Sequence, residues 1–374
     1  MRSITHIRGV CVRAAAIALF GLCLATACGR GEQKQAAAPP APATPAGAKA
    51  PDADIAKLRE QARGIFGVLP AEAPNPKNPI TPEKVALGRM LFYETRLTLS
   101  QQQSCNSCHM LDHYGVDGEP TSVGHKGQRG ARNAPSVYNA ALHIAQFWDG
   151  RAADVEEQAK GPVLNPVEMA MPSPADVVVV LKSIPGYAPL FAAAFPGEPD
   201  PITFDNMALA IAAFERRLMT PGPFDKFLEG DDAALTPAQR AGLQTFIATG
   251  CITCHNGATV GGRMFQKLGL VEPYPTQDVG REKVTGNEAD RFVFKVASLR
   301  NVAKTGPWFM DGSITDLNQA IRLMARHQLG KQLTDPDVAS IRAFLESLTG
   351  TPDASYIAKP ELPPSGPSTP APSA

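Results

Sequence analysis

The sequence predicts a mainly α-helical chain of two related modules with few short strands. Three observations carry this. Helix-period apolar runs recur along the chain, strand-period signals are scarce, and two five-residue motifs of one pattern each follow a helical run. These motifs are Cys105-Asn106-Ser107-Cys108-His109 and Cys251-Ile252-Thr253-Cys254-His255. With 374 residues, 44% of them hydrophobic, the chain has material for one large or two medium cores, while 35 prolines warn of loop-rich connections. The 36 Lys and Arg balance 36 Asp and Glu with no basic block, so nothing in the charge pattern points to nucleic acid.

Residues 1–28 read as an export signal. Arg2, Arg8 and Arg13 give a positive start, and 14–24 an apolar stretch too short for a convincing membrane span. The run Leu24-Ala25-Thr26-Ala27-Cys28 has two readings, a loose lipoprotein box that acylates Cys28 and an Ala-x-Ala site for ordinary signal peptidase. Acylation is favoured, because Cys28 would otherwise open the mature chain as an unpaired thiol in an oxidising compartment. The expected location is the periplasm, tethered to the outer membrane as a lipoprotein. Residues 29–54, rich in Ala, Pro, Gln and Lys, suit a flexible tether. Processing removes three Arg and no acid, which leaves 33 basic against 36 acidic residues.

Thr81-Pro82-Glu83 opens an apolar run ending near Phe92, and Thr236-Pro237-Ala238 opens another ending near Phe246. In both, a Thr N-cap precedes Pro at the first helical position, so a capped helix leads into each motif as a weak internal repeat. Helical spacing also marks 175–183, 204–218, 316–326 and 335–348, and the best strand signal is 291–297. The boundary is expected near Thr220-Pro221-Gly222-Pro223, giving an N-terminal domain over 55–220 and a C-terminal domain over 221–350. The Pro- and Ser-rich tail, 351–374, is expected to be disordered.

Each motif is C-x-x-C-H, in which two thiols form thioethers with haem vinyl groups and the adjacent His lies under the iron. A chain of this composition contains about 0.002 such matches by chance, so two are not accidental. A thioredoxin-like dithiol has no need of the following His, and a zinc site built from both pairs would make the two histidines a coincidence. The fold class is therefore mainly α, with two cytochrome c-like haem domains and few short strands. The cofactor-binding residues are Cys105, Cys108, His109, Cys251, Cys254 and His255.

What a haem does depends on its other face, closed in a carrier and open in a catalyst. His125 lies in the glycine-rich stretch 115–130, where the backbone is free to move and swing a side chain. On composition alone, a histidine in such a loop is more often a solvated residue. His113, His143 and His327 carry no such signal.

Across about residues 81–350 the chain resembles the bacterial dihaem cytochrome c peroxidase family. Beside the two motifs, the resemblance rests on Arg132-Asn133-Ala134-Pro135-Ser136, Phe147-Trp148-Asp149-Gly150-Arg151, Asn165-Pro166-Val167-Glu168-Met169, Val296-Ala297-Ser298-Leu299-Arg300-Asn301 and Met324-Ala325-Arg326-His327-Gln328-Leu329-Gly330. It implies a dihaem peroxidase that reduces hydrogen peroxide to water with electrons from a small periplasmic donor, a cytochrome c or a cupredoxin. The C-terminal haem, with His255 and Met324 as ligands, accepts electrons, and the N-terminal haem at His109 reduces peroxide. By position, His125 is the displaceable distal ligand, Glu168 the catalytic acid–base, Gln158 the second pocket residue and Trp148 the aromatic between the haems. Asn133, Thr305 and Pro307 match interdomain Ca²⁺ ligands, through one side-chain oxygen and backbone carbonyls, the hard donors that ion prefers.

One departure from the family matters. Where members carry His in a Tyr-Phe-His-Asp-Gly segment, it has Trp308-Phe309-Met310-Asp311-Gly312, so Met310 is a rival thioether to Met324. Two other readings stand beside the peroxidase. A closed dihaem electron carrier would leave Glu168 and Gln158 idle, and the related tryptophylquinone-maturing enzyme carries Tyr where this chain has Met324. A homodimer is left open, as are the donor's identity and any need for reductive activation.

Overall fold

Asn139 and Asn301 are the clearest sign that the chain is built twice. Both adopt left-handed backbone, with φ of 62° and 60°. Their backbone N–H groups donate to Leu218 and Leu348 carbonyls, at 2.8 and 3.1 Å. Their side-chain oxygens accept from the N–H of Thr220 and Gly350, at 3.1 and 3.0 Å. Both amide nitrogens then donate to the single hydroxyl of Thr220, at 2.9 and 2.8 Å, which joins the two halves at one buried, fully satisfied point.

This computed structural model describes residues 52–373. The export signal, Cys28 and nearly all of the tether lie outside the described residues. Among them are thirteen α-helices: α1 Asp52–Ile65, α2 Pro82–Phe92, α3 Cys105–Cys108, α4 Val155–Leu164, α5 Pro174–Lys182, α6 Tyr187–Ala194, α7 Phe204–Glu215, α8 Pro223–Glu229, α9 Pro237–Thr249, α10 Glu282–Thr285, α11 Leu317–Leu329, α12 Asp335–Ser347 and α13 Ala354–Ile357. Two short strands, β1 Phe265–Lys267 and β2 Val293–Lys295, pair antiparallel with Phe265 opposite Lys295. No single described helix is long and apolar enough to cross a membrane.

The two capped helices form as their sequences require. Thr81 Oγ1 accepts the Lys84 N–H at 3.2 Å above α2, and Thr236 Oγ1 accepts the Gln239 N–H at 3.2 Å above α9. A proline occupies the first turn of each. Each helix then crosses a partner at a glycine. A Cβ on Gly88 would stand 1.9 Å from the Ala210 carbonyl oxygen of α7, and one on Gly242 would stand 2.0 Å from that of Ser340 in α12. The pairs α2/α7 and α9/α12 are thus the equivalent frames of the two modules.

Each frame carries its own core. Phe92, Tyr187, Phe191 and Phe214 are fully buried in the first, and Phe224, Phe227 and Phe344 in the second. Burying each such side chain contributes roughly 1.5–3 kcal/mol. Two expectations need correction. Helix α1, assigned to the N-terminal domain, packs Ile55, Leu58 and Ala62 into the second core, because its apolar stripe fits against α8 rather than α2.

The tail, expected to be disordered, is ordered against the first core. Tyr356 stacks on Phe214 with ring centroids 5.1 Å apart and donates its hydroxyl proton to the Phe214 carbonyl at 2.8 Å. Arg96 donates to the Pro363 carbonyl at 2.8 Å, and the Ser373 N–H to that of Leu99 at 2.9 Å. Composition misled there, since a proline-rich segment needs no helix to bind when side chains capture its carbonyls.

Candidate active site

The first motif lies on α3, a single helical turn entered through Ser104, whose N–H donates to Ser107 Oγ at 3.0 Å. His109 Nδ1 lies 3.4 Å from the Gly115 carbonyl, which orients the ring and leaves Nε2 for a metal. Burial lowers the His109 pKa, so the imidazole is neutral, the form that ligates. Burial also pushes the Cys105 thiol up and the Cys108 thiol up to about 11. Neither behaves as the activated thiolate of a redox dithiol.

His125 is 5% exposed, and its loop is seated directly on the loop that carries Glu168. Its N–H donates to the Glu168 carbonyl at 2.8 Å, and a Cβ on Gly124 would stand 2.0 Å from the Val167 carbonyl oxygen. The backbone of this glycine-rich stretch is tied down by such contacts. The ring is not, for His125 Nδ1 is buried with no hydrogen-bond partner among the described residues.

Glu168 is held in a tight fold-back against α4. Asn165 Nδ2 donates to Glu168 Oε1 at 2.8 Å, the Met169 N–H reaches the Pro162 carbonyl at 3.2 Å, and the Met171 N–H reaches Val163 at 2.9 Å. Buried Met169 and Met171 anchor this loop in the first core. Burial raises the Glu168 pKa, against the opposing effects of Arg151 and Asn165. Gln158 lies half-buried on the same helix α4.

The second motif occupies a 3₁₀ turn, Cys251–Thr253, and His255 Nδ1 lies 3.4 Å from the Val260 carbonyl. Burial lowers its pKa to about 4 and lifts that of Cys251 to about 11. Above it opens a largely apolar cavity, lined by Cys251, Cys254, His255 and, on α11, by Leu317, Ala320, Ile321, Met324 and Gln328. That spacing presents one face of α11, with Met324 on it. Met310, only 2% exposed, lines the same cavity, so the structure brings both rival thioethers to it. Met310 also stands where the first module has Trp148, nine residues after its left-handed Asn.

Trp148 joins the modules. Its Nε1 donates to the Asn133 carbonyl at 2.9 Å, and its own carbonyl accepts the Lys295 N–H of β2 at 2.8 Å, so the indole lines the second cavity. The preceding Phe147 lies against Gly161 of α4 and beneath the Arg151 guanidinium, 3.4 Å from the ring centroid. Two adjacent aromatics therefore touch the helix of the first site and the cavity of the second. Asn133, Thr305 and Pro307 also line this cavity, and the Asn133 N–H donates to the Met310 carbonyl at 2.7 Å.

Sequence reasoning passed over Lys295 and His143, which meet at 3.2 Å in the same cavity although 152 residues separate them. The strand signal at 291–297 gave no hint of Lys295, since its more apolar phase is Phe292, Phe294 and Val296. It also passed over Asp225, which lies buried against Arg300 at 2.5 and 2.9 Å. Arg300 Nε donates to the Ala258 carbonyl at 2.8 Å, so this ion pair holds the loop whose Val260 carbonyl orients His255.

The site fits covalent haem at both motifs: half-buried histidines braced at Nδ1, half-buried paired thiols, and, at the second, a large apolar cavity facing thioethers. Fold and site together define a dihaem c-type protein. The family model "Di-haem cytochrome c peroxidase" matches residues 82–233. The chain is 46% identical to the "Cytochrome c551 peroxidase" of Pseudomonas aeruginosa, over 86% of this chain and 94% of that one. It is 47% identical to the protein of that name from Nitrosomonas europaea, over 81% and 92%. A solved MauG-like protein associated with microbial copper homeostasis superposes with a TM-score of 0.67 at 29% identity, over 79% of this chain and 96% of that one. The chain belongs to the bacterial dihaem cytochrome c peroxidase family.

Proposed function

We propose that the chain reduces hydrogen peroxide to two waters, using two electrons from a c-type cytochrome and two protons, with Glu168 as the acid–base of the reaction. Bound at the two motifs, the haems supply the iron and the electron storage that this chemistry requires. The observation that carries the reading is that Glu168 and His125 form one unit. A carboxyl with a raised pKa and a histidine ring without a second anchor are clipped together through the Glu168 carbonyl. Since Asn165 occupies Oε1, the proton of peroxide is taken and returned at Oε2. Iron-ligating histidines keep their place through the other ring nitrogen. His109 and His255 have that brace and His125 lacks it, which suits a ligand that leaves. Gln158 positions peroxide or water from α4.

His255 and Met324 serve the electron-accepting group, with Met310 in reserve on the same cavity, and a cupredoxin is the alternative donor. Trp148, bonded to both modules, lies on the path between the two groups. Asn133 Oδ1 and the carbonyls of Thr305 and Pro307 would hold a Ca²⁺. Asn133 Nδ2 is fixed on the Glu119 carbonyl at 3.0 Å, which turns Oδ1 away from that contact and leaves it for a hard cation. Acylation of Cys28 places the enzyme in the periplasm on the outer membrane. A C28A variant recovered in the soluble periplasmic fraction, against wild type in the membrane fraction, tests the anchor.

The test of the central role is Glu168→Gln. It keeps the Asn165 contact and removes the titrating proton, so peroxide turnover falls about 10²–10⁴-fold with both haem spectra unchanged. Wild-type turnover in E168Q removes Glu168 from the chemistry.

A further inference from the structure

Lys295 is 7% exposed and lies on β2 facing the second cavity. Burial lowers its pKa to about 8, which still leaves an ammonium at neutral pH. A buried cation calls for a counter-charge. The one carboxylate whose charge reaches it, Asp149, is already taken. Arg132 binds it at 2.6 Å and Arg151 at 3.1 Å. The nearest partner of Lys295 is neutral, for its Nζ lies 3.2 Å from His143 Nδ1.

An ammonium has only donors, so His143 Nδ1 must accept and Nε2 must carry the ring proton. Burial and the Lys295 charge hold this imidazole neutral, with a pKa well below the usual value. Nε2 is buried and has no hydrogen-bond partner among the described residues. The ammonium therefore meets one neutral acceptor, His143 Nδ1, and no unpaired carboxylate among the described residues. The backbone enforces this pairing. Gly262 has φ 73°, and a Cβ there would stand 2.4 Å from His143 Cδ2, so the ring fits only against a glycine.

We propose that Lys295 Nζ pairs with a propionate of the haem attached at Cys251 and Cys254, and that His143, accepting from Nζ at Nδ1, positions the ammonium for it. The chemistry selects a carboxylate because the ammonium keeps N–H donors free beside its bond to His143, and a carboxylate's charge neutralises it. The haem of this cavity brings that group with it. Lys295 and His143 are thus positioning residues for the second haem, and through Trp148, bonded to the Lys295 backbone, they sit on the side that faces the first module.

The test is a redox titration of the dihaem protein, with the second midpoint assigned from a C105A/C108A reference that carries only that haem. A cation paired with propionate favours the reduced iron. K295M therefore shifts this midpoint negative by about 59 mV, tenfold in the one-electron equilibrium, while K295R restores it and the first midpoint stays. H143F, which keeps the ammonium and removes the acceptor that positions it, shifts it in the same direction by less, and serves if K295M does not fold. An unmoved second midpoint in a haem-loaded K295M or H143F overturns the proposal. So does a wild-type midpoint that changes on adding acetate, which would assign the site to a free carboxylate.

Discussion

Glu215 shows how a single buried side chain sets the pH response of the fold. It lies on α7 near Cys105, 4% exposed, and burial, with the charge of Glu156, raises its pKa to about 8. Unfolded, it titrates near its ordinary 4.5. Between those values the folded chain holds a proton that the unfolded chain has lost, so stability is full below about 4.5 and falls as pH rises to 8. Glu215→Gln removes that slope. Its thermal midpoint matches wild type near pH 4.5 and exceeds it at pH 8, and equal midpoints at pH 8 contradict the assignment. Arg300 is the opposite case, a buried charge that is paired. Arg300→Met strands Asp225 and costs about 3–5 kcal/mol in urea unfolding, with loss of the brace on His255; a change under about 1 kcal/mol contradicts that role. At this scale the haem attachments were legible because covalent chemistry demands contiguous residues. Lys295 and His143 were not, because a pair brought together by a loop and a strand leaves no local spacing.

The elements were legible where caps and apolar periodicity agreed. Helices α2 and α9 begin at their Thr-Pro signals, and α12 runs as its spacing implies. The irregular segments carried the stronger repeat and escaped notice, since a left-handed Asn or a positive-φ Phe has no periodic signature. Phe147 and Phe309, with φ of 65° and 68°, each stand eight residues after their module's left-handed Asn. The crossing glycines belong to the elements too. Gly88→Ala forces α2 off α7 and Gly242→Ala forces α9 off α12, each costing about 1–3 kcal/mol of stability in chemical denaturation. If either substitution is neutral, the close crossing does not frame its module.

At the scale of the whole molecule, two framed modules meet at Thr220 and along the Trp148 segment, and the tail crosses back from the second to the first. That strap ends beside the loop that carries Glu168. The Ser373 N–H bonds to the Leu99 carbonyl, and the Leu99 N–H to that of Met169, next to Glu168, each at 2.9 Å. Truncation after Gly350 therefore lowers the thermal midpoint of the first module and its peroxide turnover, read by calorimetry and assay, and leaves the second haem's spectrum intact. The tail was illegible because its composition speaks of an isolated chain, whereas its order comes from Arg96, Tyr93 and Phe214 in a distant module.

We propose, from the family resemblance, that the first site is closed by His125, whose ring is unbraced, and opened by an electron placed on the second haem. Hydrogen peroxide turnover by the dihaem protein, measured fully oxidised and again after one-electron reduction, tests it most directly. Fast turnover only after reduction is the predicted result. Equal turnover in both states contradicts the gate at His125, and none in either state, with both haems intact, contradicts the peroxidase itself.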